Sequence, residues 1–191
     1  EHIPIIVQMR RQLIGRGEVG AGVQDVLMGM TRYGNSFSQS PRNRAKWTRD
    51  LGFEVRDARK EPVEYLWFVG DYASFDPRVL EITRAVARVF HQAGLDFGIL
   101  HEGEQNAGND VRRLGEEGLF DMLREKNLQV LEKARFKTIV TTDPHTYNTL
   151  KNEYRWNGRE VTVQHYTELL DQLLTQGRLP LVADETYKII G

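Results

Sequence analysis

The segment from Lys137 to Tyr154 constrains the fold of this chain more than any other stretch of its sequence. Every residue from Thr138 to Thr142 is β-branched, and this composition is typical of a strand buried on both faces. Asp143 and Pro144 then supply a helix N-cap and a first helical residue. The segment therefore predicts a parallel strand and a helix, with Asp143 at the strand's carboxyl end, where open α/β sheets bind ligands.

The same alternation of strand and helix recurs from residue 63 onwards. Apolar runs at 63–69, 97–100, 138–142 and 161–165 predict four strands, and amphipathic segments separate them. Such alternation predicts right-handed crossovers and a parallel sheet. We expect a flavodoxin/Rossmann-like α/β sheet of about four strands in the order 2-1-3-4, with flanking helices. Residues 187–190 could add an edge strand.

The helices between these strands are predicted from apolar spacing and from stop signals. The clearest one follows Asp76 and Pro77, and Gly94 closes it. Further helices are predicted at about 144–154 and 167–176. A long helix at about 111–134 contains two glycines, each of which costs about 1 kcal/mol relative to Ala, so we expect them to mark close backbone approach.

An N-terminal helical segment is predicted before the sheet. Its apolar spacing indicates helices at 3–14 and about 22–33, and Ser40-Pro41 indicates a third that continues to about residue 50. We therefore divide the chain into an N-terminal helical segment and connector, residues 1–60, and an α/β domain, residues 61–191.

A basic stripe lies in the connector of this N-terminal segment. Arg42, Lys46 and Arg49 share one face of the predicted third helix, whereas Trp47 lies off that face and is expected to pack in the core. The stripe is either a solvated surface or a docking site for an acidic partner.

Composition excludes several functional classes. The formal net charge is −1, which argues against a general nucleic-acid-binding protein. No apolar run approaches the roughly 20 residues of a membrane-spanning helix, and we expect a cytoplasmic location. The sequence contains no cysteine, so disulfides, thiolate catalysis and all-cysteine iron–sulfur clusters are excluded for this chain.

The segment around Asp143 nonetheless resembles the cysteine-rich (CCG-type) domain of heterodisulfide-reductase-like iron–sulfur oxidoreductases. That family has the pattern Thr-Thr-Cys-Pro-His-Cys-x-Asn-Thr-Leu-Lys-Asn-Glu-Tyr, and here Asp143 and Thr146 stand at its two cysteine positions. The similarity covers most of the chain. It includes Tyr33-Gly34-Asn35, Ser40-Pro41-x-x-Arg44-x-x-Trp47, Glu64-Tyr65-Leu66-x-Phe68-Val69-Gly70 and Arg112-Arg113-Leu114-Gly115.

The resemblance implies where the remaining cluster ligands of the family would fall. Its first cysteine corresponds to Asp71, and its cysteine pair corresponds to Asn106 and Ala107. Members of the family hold an iron–sulfur cluster or pass electrons within larger complexes. Because clusters need soft thiolates, we expect these five positions to be empty and predict no cofactor, no metal and no catalytic residue there.

Three functional hypotheses follow from these observations. The first is a cluster-free relative of the electron-transfer domain, with a structural or interaction role in an electron-transfer complex. The second is an electron-transfer oxidoreductase subunit whose redox centres sit on other subunits or segments. The third is a small metal- or anion-binding enzyme that reuses the former cluster cleft. The first two imply protein partners, and peripheral membrane association through them, but no nucleic acid.

Other polar residues are weaker candidate sites. Asp71, Asp143 and His145 could bind a hard cation, although a cap, a turn residue and a first-turn polar residue are the favoured interpretation. The loop that contains His101, Glu102 and Glu104 could perform acid–base chemistry, but a solvated acidic loop is the favoured interpretation. We also expect His165 to be a hydrogen-bonded strand-end residue rather than a ligand. Residues 70–74 could bind an anion, but they lack a glycine-rich nucleotide pattern.

Overall fold

A five-stranded parallel sheet forms the centre of the protein in a computed structural model that describes residues 2–156 and 158–179. The strands are β1 Arg56–Asp57, β2 Tyr65–Trp67, β3 Phe97–Ile99, β4 Thr138–Thr141 and β5 Thr162–His165. Their order is β1-β3-β2-β4-β5, and each neighbouring pair is parallel. The α/β fold class and the 2-1-3-4 order of the four predicted strands are therefore confirmed.

The edge strand β1 was not predicted from the sequence. It consists of Arg56 and Asp57, which pair with Gly98 and Ile99 of β3. Two polar residues carry neither an apolar run nor an alternation, so no local pattern marks them as a strand. The edge strand predicted at 187–190 lies outside the described residues.

Helices cover both faces of the sheet. They are α1 Ile3–Gly15, α2 Ala21–Tyr33, α3 Asp71–Phe75, α4 Leu80–Gln92, α5 Asn109–Leu114, α6 Glu117–Leu131, α7 Pro144–Asn152 and α8 Tyr166–Thr175. Alternate strand residues point to opposite faces. Leu66 and Ile139 join the core beneath α2, α5, α6 and α7, whereas Trp67 and Val140 join the core beneath α4 and α8.

The predicted long helix at about 111–134 is in fact two helices. α5 ends at Gly115, which has φ +99°, and Glu116 caps α6 by accepting a hydrogen bond from the Leu119 N–H. A Cβ atom on Gly115 would lie 2.7 Å from the backbone nitrogen of Arg11. The expected close backbone approach is thus present at Gly115, and it seats α1 against α5.

The N-terminal segment is helical, as predicted, but its third helix is replaced by two 3₁₀ turns, Pro41–Asn43 and Lys46–Asp50. Trp47 is buried, as expected, and packs against Trp67.

The division of the chain at residue 60 stays a prediction. Within residues 2–156 and 158–179, none of the helices combines the length and apolar character needed to cross a bilayer.

Candidate functional site

A cleft of about 540 Å³ opens at the carboxyl edge of the sheet. Its walls are the segments that follow β2, β3 and β4, and the connections of the adjacent strands β2 and β4 leave in opposite directions. Such a switch point is the usual ligand site of an open α/β sheet. The five substituted positions all line it: Asp71, Asn106, Ala107, Asp143 and Thr146.

Asp143 caps helix α7, as its sequence context predicted. Its Oδ1 accepts a hydrogen bond from the His145 N–H at 3.0 Å, and its Oδ2 accepts one from the Thr146 N–H at 3.1 Å. The Thr146 hydroxyl also donates to Oδ2, at 2.6 Å. The residues at the two positions of the closing Cys-x-x-Cys pattern therefore bond to each other and to the first turn of the helix.

Asp71 is buried on the opposite wall and has several hydrogen-bond donors. Its Oδ2 accepts from the Asn106 side chain at 2.7 Å and from the N–H and hydroxyl of Ser36 at 2.8 and 3.1 Å. The Arg44 guanidinium donates to its Oδ1 at 2.7 Å. Asp71 is therefore a fully engaged carboxylate and not an open ligand.

Arg44 joins Asp71 to a second buried carboxylate, Glu104. The Arg44 and Glu104 side chains are only 3% and 1% exposed, and Nη1 donates to Oε1 at 2.9 Å. The backbone N–H groups of Val69 and Gly70 donate to Glu104 at 2.9 and 2.8 Å. We call Arg44, Asp71 and Glu104 the buried charge cluster.

The position of Glu104 contradicts the interpretation of its loop as solvated. Burial raises the pKa of the Glu104 carboxyl, although the Arg44 charge and the N–H groups of Val69 and Gly70 oppose that effect. Glu102 in the same loop is exposed and pairs with Arg59. Local sequence could not separate the two glutamates, because the cation that permits burial lies 60 residues from Glu104.

The loop behind the cleft is fixed from beneath by Asn127. The Asn127 side chain accepts from the Gln105 N–H at 2.8 Å and donates to the Asn106 carbonyl at 3.2 Å. It also donates to the Tyr154 hydroxyl, which in turn donates to the Ala107 carbonyl. Burial raises the pKa of this Tyr154 hydroxyl above its ordinary value. The loop is thus held in place by buried polar contacts.

The connector between α2 and β1 closes the same site from the N-terminal side. The Asn106 N–H donates to the Gly34 carbonyl at 2.7 Å. Gly34 has φ +70°, and a Cβ atom there would overlap the Gln105 side chain. With Ser36 and Arg44, the connector therefore supplies contacts that the α/β domain alone lacks. Sequence reasoning missed Arg44 as part of the site, although its place three residues before Trp47 marks an inward-facing segment.

The alternative metal and anion sites are not supported. Within the described parts of the chain, no three His, Asp or Glu side chains meet in a way that could hold a metal ion. In the anion segment predicted at residues 70–74, the Gly70 N–H already donates to Glu104. Asp143 likewise occupies the N-terminal N–H groups of α7, and no Lys or Arg is among the described residues that line the cleft. His145 lines the cleft and is exposed, whereas His165 bonds to Thr167 and the Thr142 carbonyl, as expected of a strand-end residue.

Comparison with known proteins identifies relatives of this chain. It is 38% identical over 187 residues to the "Probable iron-sulfur-binding oxidoreductase FadF" of Bacillus subtilis, a match that covers 94% of this chain and 26% of that protein. The chain is related to iron–sulfur oxidoreductases. It is also 36% identical over 197 residues to the "EtfAB:quinone oxidoreductase" of Syntrophomonas wolfei, which covers 98% of this chain and 28% of that protein.

A more distant relative is consistent with the resemblance to heterodisulfide-reductase-like proteins described above. The chain is 26% identical over 178 residues to one component of the dihydromethanophenazine:CoB–CoM heterodisulfide reductase of Methanosarcina mazei, covering 90% of this chain and 42% of that component. The chain thus spans between about a quarter and two fifths of the relatives it matches. No family model and no solved structure matches it.

The prediction that no cofactor is involved is wrong, because the Bacillus relative is named for iron–sulfur binding. The side chains of this cleft nevertheless do not fit such a cluster. Cluster iron is held by thiolates, with histidine as an occasional substitute, and the sequence has no cysteine. Asp71, Asn106, Asp143 and Thr146 are moreover hydrogen-bonded to other protein groups.

Proposed function

We propose that this chain is a structural and interaction module of an electron-transfer oxidoreductase complex. One observation carries the proposal: nearly the whole chain is similar to segments of iron–sulfur oxidoreductases, covering 94% of it in one relative and 98% in another. Because the chain spans about a quarter of those two proteins, the activity of such a complex would need further segments or subunits. The proposal therefore includes protein partners, namely the other subunits of that complex.

The chemistry of the cleft supports a structural role at the substituted positions. The polar side chains there satisfy one another, and the buried charge cluster joins the connector to the sheet edge. Buried ionic groups that are hydrogen-bonded to one another hold a local arrangement in place, and this holds for the cluster although the buried Arg44 Nε has no hydrogen-bond partner among the described residues. Any thiolate-held redox centre of the complex would lie on other segments or subunits, because this sequence contains no cysteine.

The basic stripe of the connector is the surface that we propose contacts an acidic partner. Its residues lie on two 3₁₀ turns and not on one helix, Arg42 on the first and Lys46 and Arg49 on the second. Arg42, Lys46 and Arg49 are exposed, and within the described residues none of them forms an ion pair. Between them, Arg44 and Trp47 point inward and are buried. The exposed cations are therefore backed by buried side chains, an arrangement that lowers the entropy lost when a partner binds.

Purification of the tagged chain from the cell in which it is naturally made tests this proposal. We expect stoichiometric co-purification of redox-active subunits, such as iron–sulfur proteins, identified by mass spectrometry. The visible absorption of the purified complex should bleach on reduction with dithionite. Isolation of the chain alone, as a monomer without a redox partner, would contradict the proposal.

A charge-reversal variant locates the contact. Replacing Arg42, Lys46 and Arg49 by Glu should release the partner subunits at physiological salt while the chain stays folded. The matched control replaces the exposed Arg16, Lys126 and Lys133 by Glu, which changes the net charge equally. Equal release by both variants would show that overall charge, and not the basic stripe, determines association.

A further inference from the structure

The free hydrogen-bonding groups of the cleft lie outside its five substituted positions. The side chains of Asp143 and Thr146 are engaged with each other and with α7, as described above. By contrast, the Tyr72 and Thr142 hydroxyls and the His145 imidazole line the cleft without a hydrogen bond to any described residue. These three groups are therefore available to hydrogen-bond a ligand, as is the exposed carboxylate of Asp110.

The charges around the cleft disfavour an anionic ligand. Asp71, Asp110 and Asp143 line it, and Arg44 offsets only Asp71. No Lys or Arg is among the described lining residues. An anion that entered would face two carboxylates without a matching cation, and like charges at close range repel each other.

The walls of the cleft suit a flat ring. Tyr72 is 59% exposed, and its ring packs edge-to-face on Phe37 with centroids 5.1 Å apart, a contact that favours this orientation of the ring. Val69, Ala73 and Ala107 add small apolar surfaces. A cavity of about 540 Å³ falls within the usual range for small-molecule sites, roughly 300–1,000 Å³. Stacking on a preoriented aromatic side chain favours planar ligands.

We propose that this cleft binds a planar ring that has no negative charge and carries hydrogen-bond acceptors. The ring stacks on Tyr72, the small apolar side chains contact its edge, and its acceptor atoms take hydrogen bonds from the Tyr72 and Thr142 hydroxyls and from His145. The inference goes beyond membership of a complex and does not depend on it.

Two small probes that differ in one charge test the ligand class. Coumarin is planar and uncharged and carries a lactone carbonyl, whereas coumarin-3-carboxylate adds an anionic group to the same ring. Saturation-transfer NMR on the full chain at about pH 7.5 should detect coumarin binding, with the carboxylate about tenfold weaker or absent. Absence of coumarin binding at millimolar concentration, or equal binding of both probes, would overturn the proposal.

Substitutions at Tyr72 locate the site. Tyr72→Ala removes the ring and should weaken coumarin binding about fivefold or more, whereas Tyr72→Phe keeps the stacking surface and should weaken it less. Both changes are at an exposed residue, so we expect circular dichroism to be unchanged. Ile82→Ala, at a residue that is 63% exposed and does not line the cleft, is the control. Unchanged binding to Tyr72→Ala, or an equal loss in the control, would place the ligand elsewhere.

The coumarin-binding test and the co-purification test can fail independently of each other. If coumarin fails to bind while redox subunits still co-purify with the chain, only the ligand proposal is wrong. If coumarin binds to a chain that has no protein partner, only the role in the complex is wrong.

Discussion

Replacing Arg44 by Met tests whether the buried charge cluster stabilises the protein. The change removes a cation that is 3% exposed and leaves two carboxylates, Asp71 and Glu104, buried beside an apolar side chain. Breaking a buried ion pair from one side costs about 3–5 kcal/mol. Because Arg44 bonds to both carboxylates, we expect a loss at the upper end of that range, measured by urea denaturation followed by tryptophan fluorescence at about pH 7.5.

The pH dependence of this loss identifies its cause. Burial already raises the pKa of Glu104, and removing Arg44 should raise it further because the guanidinium opposes the effect. A carboxyl with a raised pKa in the folded state binds its proton more tightly there than in the unfolded chain. The contribution of this carboxyl to the free energy of unfolding is therefore greatest below its pKa in the unfolded chain. The contribution is lost as the pH rises through its pKa in the folded state. The deficit of Arg44→Met should consequently shrink as the pH falls from about 8 to about 5.

Arg56→Met is the matched control. Arg56 also bridges two carboxylates, those of Glu61 and Asp96, but it is 47% exposed. Exposed pairs contribute about 0–1 kcal/mol, so this variant should lose less than about 1 kcal/mol. A similar loss in both variants, or a deficit of Arg44→Met that does not change with pH, would refute the electrostatic explanation.

Three further predictions concern single contacts. Asp143→Ala should lower the free energy of unfolding by about 1 kcal/mol, measured in urea, because α7 loses its N-cap; no loss would show that the cap contributes nothing. Gly115→Ala should lower the free energy of unfolding by about 1–2 kcal/mol, because residue 115 has a positive φ. The added Cβ should also displace α1, so trypsin should cleave α1 faster than it does in the control Gly17→Ala, because Gly17 has a positive φ but open space around it. Tyr154→Phe should cost about 1–3 kcal/mol in thermal unfolding, because Asn127 and the Ala107 carbonyl lose a buried partner; a neutral change would indicate that water replaces the hydroxyl.

The fold was predictable because its signals are local. Each predicted strand is an apolar or β-branched run, and Asp143 followed by Pro144 marks the start of α7 in the sequence itself. The helix break at Gly115 was missed because inward-facing residues such as Leu119 and Leu123 continue the apolar spacing on its far side. Glycine spacing alone does not distinguish a close approach inside a helix from a left-handed cap between two helices.

The site was only partly predictable because much of it depends on distant contacts. The strand-end residues Asp71 and Asp143 could be placed on one sheet edge from the predicted topology. The burial of Glu104 depends on Arg44, and their partnership has no local signature. That Asp71, Asn106, Ala107, Asp143 and Thr146 correspond to the cluster-ligand positions of the family remains a prediction.

The order in which the chain is synthesised also affects how the contacts of Arg44 form. Arg44 precedes Asp71 by 27 residues and Glu104 by 60, so during synthesis the cation leaves the ribosome before either carboxylate. When β2 and the loop after β3 dock, the connector is already available to neutralise them. A chain that made the connector last would have to close the sheet edge over two uncompensated charges. A circular permutant that starts at residue 48, so that residues 34–47 are synthesised last, would therefore fold during synthesis through a more hydrated intermediate.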